Sequence, residues 1–269
     1  MIQTIGMIGT GNMGLAILRG VVEAQYIRAS MITVFDVSSK RMREISEDIP
    51  GIQLASDCAE VAEQSDLIIL AVKPIYVQDV INELLPALNG KAVLSIAAGW
   101  TVSMLSKSLE NSGATFMRVM PNTPALVGEG MTALCDESTF SKEDFEYAKG
   151  IFDSVGKTII LPERLFDGVV AISGSSPAYV YMMIEAMADA GVKEGIPRAN
   201  AYEMAAQSVL GSALMVLSSG THPAALKDAV CSPGGTTIDA VEELERKGFR
   251  AAIMDAMQVC AEKSRSMSR

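Results

Sequence analysis

Short apolar runs alternate with segments of helical period over the first part of the chain. An unbroken apolar run such as Leu67–Val72 is typical of a parallel strand whose two faces are both covered. The predicted strands are Thr4–Ile8, Ile32–Phe35, Gly51–Ala55, Leu67–Val72, Ala92–Ile96, Phe116–Met120, Met131–Cys135 and Thr158–Leu161. The predicted helices between them are Met13–Ala24, Val37–Ile49, Tyr76–Leu88 and Lys142–Phe152. This alternation predicts an α/β fold, with an N-terminal Rossmann-type sheet domain over residues 1–162.

The chain after Leu165 contains helical periods and no strand pattern. The predicted helices are Phe166–Ser173, Ala178–Glu194, Arg198–Ser218, Pro223–Val230, Thr237–Lys247 and Phe249–Ser268. They predict an all-helical C-terminal domain over residues 163–269. The segment Ala178–Val192 is apolar on nearly all sides, which is typical of a helix that is buried all round. A domain of this size hides such a helix only against the first domain or a second subunit, so we expect an obligate homodimer.

Composition narrows the classes of function. The net charge of -10 argues against a nucleic-acid partner and favours a small-molecule ligand. The four cysteines show no CxxC spacing, and His222 is the single histidine, so we expect no disulfide framework, no metal site and no Ser-His-Asp triad. No apolar run reaches the ~18 residues of a membrane span, and the first strand begins too early for a signal peptide. We therefore expect a cytoplasmic protein without membrane association.

A glycine-rich loop, Gly9–Gly14, joins the first predicted strand to the first predicted helix. In such a loop the first glycine allows a tight turn, the second leaves room for a pyrophosphate, and the third lets the helix pack closely on the sheet. Asp36 ends the next strand 22 residues after Gly14, at the position of an acid that binds ribose. A glycine turn without a ligand is the simpler interpretation of the loop alone. The loop and the acid together predict a site for a nicotinamide or flavin dinucleotide.

Three further loops leave the carboxyl ends of predicted strands, where ligands bind in α/β sheets. They contain Lys73–Pro74, Ala97–Ala98 and Asn122–Thr123, which we expect near the cofactor. The alternatives are that Lys73 is only solvated and that the prolines beside Asn122 and Thr123 only shape their loop. Trp100, the single tryptophan, is expected to be a packing anchor.

Two segments of the second half contain hydroxyl side chains together with the helix-breaking residues glycine and proline, just before predicted helices. Ser173–Pro177 is expected to be a loop between two helices at the domain junction, or else an N-cap for the helix that follows it. Cys231–Thr237 contains two glycines before a helix, and these expose successive N–H groups that can hold a carboxylate. Thr237 is placed there to hydrogen-bond a neighbouring ligand atom, unless it only caps the helix.

The residue inventory favours one kind of chemistry. Oxidation of an alcohol requires a base, which Rossmann dehydrogenases with a helical second domain often take from the junction helix as Lys or His. Phe166–Glu185 contains neither residue. Reduction of an imine needs less, because a protonated iminium accepts hydride directly and positioning with a weak donor suffices.

Several short motifs accompany the glycine loop and the segment that ends at Thr237. They are Ala71–Pro74, Ser95–Gly99, Arg118–Pro124, Ser173–Tyr179 and Leu226–Ile238. With them, nearly the whole chain resembles the Δ1-pyrroline-5-carboxylate reductase family. The stretch Ser232–Ile238 is the most specific signature of that family.

The resemblance implies reduction of (S)-1-pyrroline-5-carboxylate to L-proline by NADPH or NADH, the last step of proline synthesis. It also implies a homodimer, which in the family often assembles as five dimers into a decamer. The predicted cofactor-binding residues are Gly9, Thr10, Gly11, Asn12, Met13, Gly14, Asp36, Ala71, Val72, Lys73, Pro74, Ala97, Ala98 and Asn122. The resemblance implies all of them except Asp36 and Asn122, which are predicted from their positions after strands. The implied substrate-binding residues are Ser175, Ser232, Gly234, Gly235, Thr236 and Thr237. Thr237 is expected to act catalytically at the imine nitrogen, while the N–H groups of Gly235 and Thr236 hold the carboxylate.

Three positions depart from the family pattern, namely Ser176, Ala229 and Asp36. Asp36 stands where members that use NADPH tend to have Ser or Asn. Its carboxylate can accept both ribose hydroxyls of NADH and would repel a 2'-phosphate, so we expect NADH to be at least competitive. The segment Ser38–Arg41 offers an alternative phosphate site if Asp36 turns away.

Two rival functions remain at this point. A hydroxyacid dehydrogenase of the same architecture would turn over 3-hydroxy acids with NAD. A non-catalytic dinucleotide sensor would bind NAD(P)H without consuming it, although a loop suited to a carboxylate argues against a sensor.

Overall fold

The computed structural model describes residues 2–267 and contains one eight-stranded sheet. The strands are β1 Ile5–Ile8, β2 Ile32–Phe35, β3 Gln53–Leu54, β4 Leu67–Leu70, β5 Ala92–Ser95, β6 Thr115–Met120, β7 Gly130–Cys135 and β8 Gly156–Leu161. Their order is β3-β2-β1-β4-β5-β6-β7-β8, and every neighbouring pair is parallel except β6 and β7, which are antiparallel. The predicted Rossmann-type sheet is therefore confirmed.

Helices fill the connections and make up the described chain after β8. They are α1 Asn12–Glu23, α2 Ser39–Asp48, α3 Cys58–Glu63, α4 Val77–Leu84, α5 Val102–Ser108, α6 Lys142–Asp153, α7 Phe166–Val169, α8 Ser176–Lys193, α9 Arg198–Ser219, α10 Pro223–Val230, α11 Thr236–Arg246 and α12 Phe249–Met267. The predicted last helix ran to Ser268, which lies outside the described residues. No strand follows β8 within residues 2–267, so the predicted helical C-terminal region is confirmed.

Two short helices were missed by the sequence interpretation. The side chain of Asp57 accepts a hydrogen bond from the N–H of Glu60 (2.8 Å) and caps α3. Thr101 caps α5 in the same way, with the N–H of Met104 as donor (3.1 Å). Both are recognisable N-cap residues, but helices of six and seven residues offer too few turns for a clear apolar period. The third strand is also shorter than predicted, with two residues.

The sheet is covered on both faces, as the apolar run in β4 predicts. Leu67 and Ile69 pack in one cluster with α1, α2 and α6, whereas Ile68 and Leu70 pack in another with α3, α4 and α5. Successive side chains of a strand point to opposite faces, so a strand covered on both sides must be apolar at every position. This double burial makes β4 and its neighbour β1 the centre of the fold.

The chain divides into two compact units. The first runs to Ser175 and includes the chain from Cys260 onward, and the second is Ser176–Val259. The domain boundary predicted between residues 162 and 163 stays a prediction. Within the second unit, α8 and α9 pack against each other. None of the helices among the described residues has both the length and the apolar character needed to cross a membrane.

Helix α8 is not buried all round within the single chain, as expected if a second subunit covers it. Only Ala188 of this helix is buried, while Met182 is 70% exposed and Tyr181 60% exposed. The single chain supplies too little surface to cover this largely apolar helix, so its apolar sides remain open.

A buried ion pair ties β6 to the segment after β8. The guanidinium of Arg118, which is 4% exposed, donates to Glu163 Oε1 at 2.7 Å and lies 4.7 Å from the ring centre of Phe166. The same carboxylate oxygen accepts the N–H of Val102 at 2.6 Å. A charge in this position is tolerated because it is paired and hydrogen-bonded.

We predict that Arg118→Met lowers the free energy of unfolding by roughly 3 kcal/mol, because it leaves the Glu163 carboxylate without its partner. Chemical denaturation measures the change. Arg19→Met, which breaks an exposed pair with Asp48, is the matched control and should change stability much less. The double variant Arg118→Met/Glu163→Leu should recover part of the loss, and equal losses at Arg118 and Arg19 would contradict the assignment.

Candidate active site

The carboxyl ends of three neighbouring strands meet where the order of the sheet reverses. The chain proceeds from β1 to β2 on one side, and β4 lies on the other side of β1. The N–H of Gly9 donates to the carbonyl of Phe35 at 2.9 Å, and the N–H of Ala71 donates to the carbonyl of Ile8 at 2.8 Å. Open α/β sheets bind ligands at such a reversal, so the loops after β1, β2 and β4 define the candidate nucleotide site.

Gly9 and Gly14 give this junction its compact form. Gly9 has φ +91°, and a Cβ there would lie 2.7 Å from the carbonyl oxygen of Ala71. A Cβ on Gly14 would lie 2.4 Å from the carbonyl oxygen of Gly9 and 3.5 Å from the Cβ of Ala71. The tighter of the two contacts is with the glycine loop itself, so the absence of a side chain at Gly14 mainly lets α1 pack against that loop. The close packing of α1 on the sheet, which the sequence predicted, is the looser contact with Ala71.

Gly11 has a different environment from the other two glycines. It is the N-cap residue of α1, and a Cβ on it would meet no protein atom within 4 Å. The first N–H groups of a helix have no partners within the helix, and the helix dipole attracts negative charge to this end. The open space beside Gly11 and the start of α1 fit the pyrophosphate of a dinucleotide.

The carboxylate of Asp36 is held in place by the glycine loop. Its Oδ2 accepts the N–H of Thr10 at 2.8 Å and the hydroxyl of Thr10 at 3.0 Å, and its Oδ1 accepts the N–H of Ser38 at 2.9 Å. The side chain of Thr10 is buried. Thr10 thus orients Asp36, a role that its position inside a glycine motif did not reveal.

A cavity of about 370 Å³ lies beside this carboxylate. Its walls include Gly9, Asp36, Val72, Tyr76 and Glu83, together with Cys58. Burial, with a hydrogen bond to Glu83, raises the pKa of the Cys58 thiol to about 12, so this cysteine remains protonated at neutral pH. The cavity combines apolar surface for a flat ring with acceptors for hydroxyl groups.

The loops after β4 and β5 are fixed by Trp100. Its indole N–H donates to the carbonyl of Pro74 at 2.9 Å, and the side chain is 6% exposed, in agreement with the predicted packing anchor. Lys73 is exposed at the edge of this loop, and Ala97 is buried. Small residues and a fixed turn leave this edge accessible to a ligand.

Asn122 is 7% exposed, and its amide is bonded to the protein backbone at both ends. Its Oδ1 accepts the N–H of Met131 at 2.8 Å, and its Nδ2 donates to the carbonyl of Ser173 at 3.0 Å. Sequence reasoning expected a cofactor contact for this residue and missed its link to Ser173. Whether Asn122 also contacts a cofactor stays a prediction.

The segment Ser173–Pro177 is helical except at Ser175, which is a bend between two helices, so the predicted loop is reduced to one residue. A π-helical turn, Val170–Gly174, leads into α8, and the N–H of Ser175 donates to the carbonyl of Val170 at 2.8 Å. Proline in the first turn of a helix needs no N–H partner, so Pro177 is compatible with the start of α8. The hydroxyl of Ser175 accepts a hydrogen bond from the Cys260 thiol at 3.3 Å. π-helical turns are frequent at functional sites.

The glycine loop before α11 lies in the second unit. Gly234 has φ +66°, and Gly235 is the N-cap residue of α11, with no side-chain cap. Thr237 is therefore the second residue of the helix and is half-buried, so the alternative that it caps the helix is wrong. The N–H of Gly235 donates to the carbonyl of Ser232 at 3.0 Å and is already used within the loop. The N–H groups of Thr236, Thr237 and Ile238 have no acceptor within the helix, because they lie in its first turn.

The predicted residues fall into two groups. Those predicted to bind the cofactor, together with Ser175, belong to the first unit, and those from Ser232 to Thr237 belong to the second. A Rossmann sheet with this loop is typical of dinucleotide-dependent oxidoreductases. Residues 4–99 match a family model described as "NADP oxidoreductase coenzyme F420-dependent", and residues 163–267 match one described as "Pyrroline-5-carboxylate reductase dimerisation".

Curated relatives cover the whole chain. It is 47% identical to the pyrroline-5-carboxylate reductase of Escherichia coli over 99% of both chains, and 42% identical to that of Arabidopsis thaliana over 98% and 95%. The crystal structure of Plasmodium falciparum pyrroline carboxylate reductase with NADP bound superposes with a TM-score of 0.90 at 34% identity, covering 99% of this chain and 98% of that one. The chain therefore belongs to the pyrroline-5-carboxylate reductase family, as its motifs predicted.

We predict that Gly11→Ala raises the Kd for NADH about tenfold or more, because the methyl group enters the space assigned to the pyrophosphate. Its melting temperature should hardly change, since no protein atom lies within 4 Å of the new Cβ. Gly14→Ala should instead lower stability, by on the order of 1–3 kcal/mol, through the contact with Gly9. Fluorescence titration and thermal melts measure both effects.

Gly168→Ala serves as the control for a helical glycine, because a Cβ there also meets open space. It should change neither nucleotide affinity nor folding adversely. A Gly11→Ala protein that binds NADH as tightly as the parent would show that the pyrophosphate lies elsewhere.

Proposed function

We propose that this protein reduces (S)-1-pyrroline-5-carboxylate to L-proline, the last step of proline synthesis, with NADPH or NADH as hydride donor. The reaction adds a hydride to the carbon of the ring C=N bond and a proton to its nitrogen. The bound nicotinamide supplies the hydride. The observation that carries the proposal is the start of α11, where a glycine N-cap leaves the first helical N–H groups open in a chain of this family.

The substrate carboxylate is assigned to the N-terminus of α11. Gly235 carries no side-chain cap, so the N–H groups of Thr236 and Thr237 are available to an anion, and the helix dipole adds to the attraction. The hydrogen bond from the N–H of Gly235 to the carbonyl of Ser232 closes the loop just before these N–H groups. The first unit supplies the nucleotide site through the loop Gly9–Gly14 and Asp36.

Thr237 is proposed to hydrogen-bond the imine nitrogen. Its hydroxyl stands on the first turn of α11, one residue from the N–H of Thr236, so one ligand with adjacent nitrogen and carboxylate groups suits both. No strong base is needed, because the product amine is itself basic and the reduced carbon receives hydride rather than losing it. The absence of Lys and His from Phe166–Glu185 agrees with this demand.

The assembly is proposed to be a homodimer through the helical region, with a decamer of five dimers as the larger form. Residues 163–267 match a dimerisation family, and the exposed apolar side chains of α8, including Met182 and Met187, supply surface for a second copy. We place the enzyme in the cytoplasm, and the four unpaired cysteines support a reducing compartment.

The assay that tests the function follows the loss of NADPH or NADH absorbance on addition of pyrroline-5-carboxylate, with proline identified as product. Turnover of 3-hydroxy acids with NAD would instead indicate a hydroxyacid dehydrogenase. Binding of NAD(P)H without any loss of absorbance would indicate a sensor.

We predict that Thr237→Ala lowers kcat/KM for the imine about tenfold or more, which corresponds to ~1.4 kcal/mol of transition-state stabilisation. NAD(P)H affinity and melting temperature should be unchanged, because Thr237 makes no cap bond to α11. Thr237→Ser keeps the hydroxyl and should retain most activity.

The two variants also separate a catalytic from a purely structural role. Steady-state kinetics with both cofactors and a thermal melt are needed for each. Full kcat/KM in Thr237→Ala, accompanied by a lower melting temperature, would exclude action on the substrate.

We predict that the parent protein sediments as a dimer or larger and that Met187→Glu shifts it toward monomer or aggregate, since an unpaired charge is costly to bury in an interface. Analytical ultracentrifugation at micromolar concentration measures this. Ser103→Glu adds the same charge on exposed α5 and should leave the assembly intact. A fully active monomeric parent would refute the assembly.

A further inference from the structure

We propose that this chain selects NADH over NADPH and that Asp36 sets the choice. The inference rests on the proposed function, because it assumes that the loop Gly9–Gly14 and the cavity beside it bind a dinucleotide. It goes further by assigning the specificity to one carboxylate and its surroundings.

Asp36 cannot turn away without loss of three hydrogen bonds. Two run from Thr10 to Oδ2, at 2.8 and 3.0 Å, and one runs from the N–H of Ser38 to Oδ1, at 2.9 Å. Thr10 is buried, so its hydroxyl would lose a partner that water does not readily replace. The carboxylate therefore keeps its position at the end of β2, where it can accept hydrogen bonds from ribose hydroxyls.

The cavity next to Asp36 is acidic. Asp79 and Glu83 stand in its wall together with Asp36, and no Lys or Arg is among the residues that line it. A 2'-phosphate carries up to two negative charges and would meet like charge without a compensating cation. A ribose with two free hydroxyl groups meets acceptors instead.

The two cationic residues that follow β2 form ion pairs with a glutamate of α2. Lys40 and Arg41 both pair with Glu44 on α2, with N–O distances of 3.6 and 3.4 Å. The Ser38 hydroxyl accepts the N–H of Arg41 as the cap of α2. The N–H and hydroxyl of Ser38 are therefore used by Asp36 and by α2. The ion pairs of Lys40 and Arg41 are exposed and weak, so the alternative phosphate site is tested directly by the double variant described below.

Apolar side chains complete the site for an adenosine without a phosphate on its ribose. Val37 is 93% exposed and Tyr76 is half-exposed, and both line the cavity beside Val72. Exposed apolar residues around a cavity are typical of a surface that a flat aromatic ligand covers. The adenine ring has apolar surface on this side, and the ribose has the Asp36 carboxylate.

The experiment measures Kd for NADH and NADPH separately, by fluorescence titration of the full-length protein without imine. We expect NADH to bind about tenfold or more tightly than NADPH. Asp36→Asn keeps the size of the side chain and removes its charge, so it should narrow the ratio by about tenfold, chiefly through tighter NADPH binding. Asp36→Ser should narrow the ratio of the two Kd values further, because it also weakens the binding of NADH. Steady-state kcat/KM with each cofactor is the second measurement and should show the same order.

A matched control comes from the cations. Lys40→Gln/Arg41→Gln should leave the affinity for NADPH unchanged, because these side chains take no part in the site. Tighter binding of NADPH than NADH by the parent, or a large loss of NADPH affinity in the double variant, would overturn the inference and leave the proposed function standing. Failure of both nucleotides to bind would overturn the proposed function and the inference together.

Discussion

The close approach of β1 and β4 at Gly9 is the constraint on which the rest of the nucleotide-binding unit depends. The left-handed backbone of Gly9 places it against the carbonyl of Ala71, and backbone hydrogen bonds link Gly9 to Phe35 and Ala71 to Ile8. Any side chain at Gly9 would force these strand ends apart. The start of α1, the carboxylate after β2 and the loop after β4 would separate with them, because each follows one of these ends directly.

The two sides of this junction carry opposite charge, positive at the start of α1 and negative at Asp36. The N-terminus of α1 attracts the charge of a pyrophosphate, while the fixed carboxylate of Asp36 and the acidic cavity beside it disfavour a further phosphate. Thr10 links the two sides, since it lies inside the glycine loop and holds Asp36. One loop thus contains both the open helix N-terminus and the residue that fixes Asp36, the two features on which the proposed nucleotide selectivity rests. In the second unit, α11 likewise begins at a glycine N-cap without a side-chain cap, and its N-terminus is where we propose that the substrate carboxylate binds.

Local periodicity and backbone chemistry were sufficient for most of the fold. The double burial of β4 requires an unbroken apolar run, the turn after β1 requires glycine, and the long C-terminal helices show a clear helical period. These features depend on residues near one another in the chain, so the strands, the long helices and the family followed from local pattern and motifs. The order of the strands in the sheet and the antiparallel pairing of β6 with β7 came from the folded structure. Short helices such as α3 escaped because six residues contain less than two turns.

The tertiary structure decided which polar groups are free. Asn122 is bonded to Ser173, 51 residues away, and Asp36 to Thr10, 26 residues away, and no local pattern reveals such partners. A π-helical turn shortens the break in Ser173–Pro177 to Ser175 alone, and the N–H of Gly235 is bonded to the carbonyl of Ser232 within its own loop. A sequence shows which groups can donate or accept, but their availability to a ligand depends on the partners that folding brings to them. For this reason the loops of the site could be identified from the sequence, whereas the side chains that are free to bind a ligand could not.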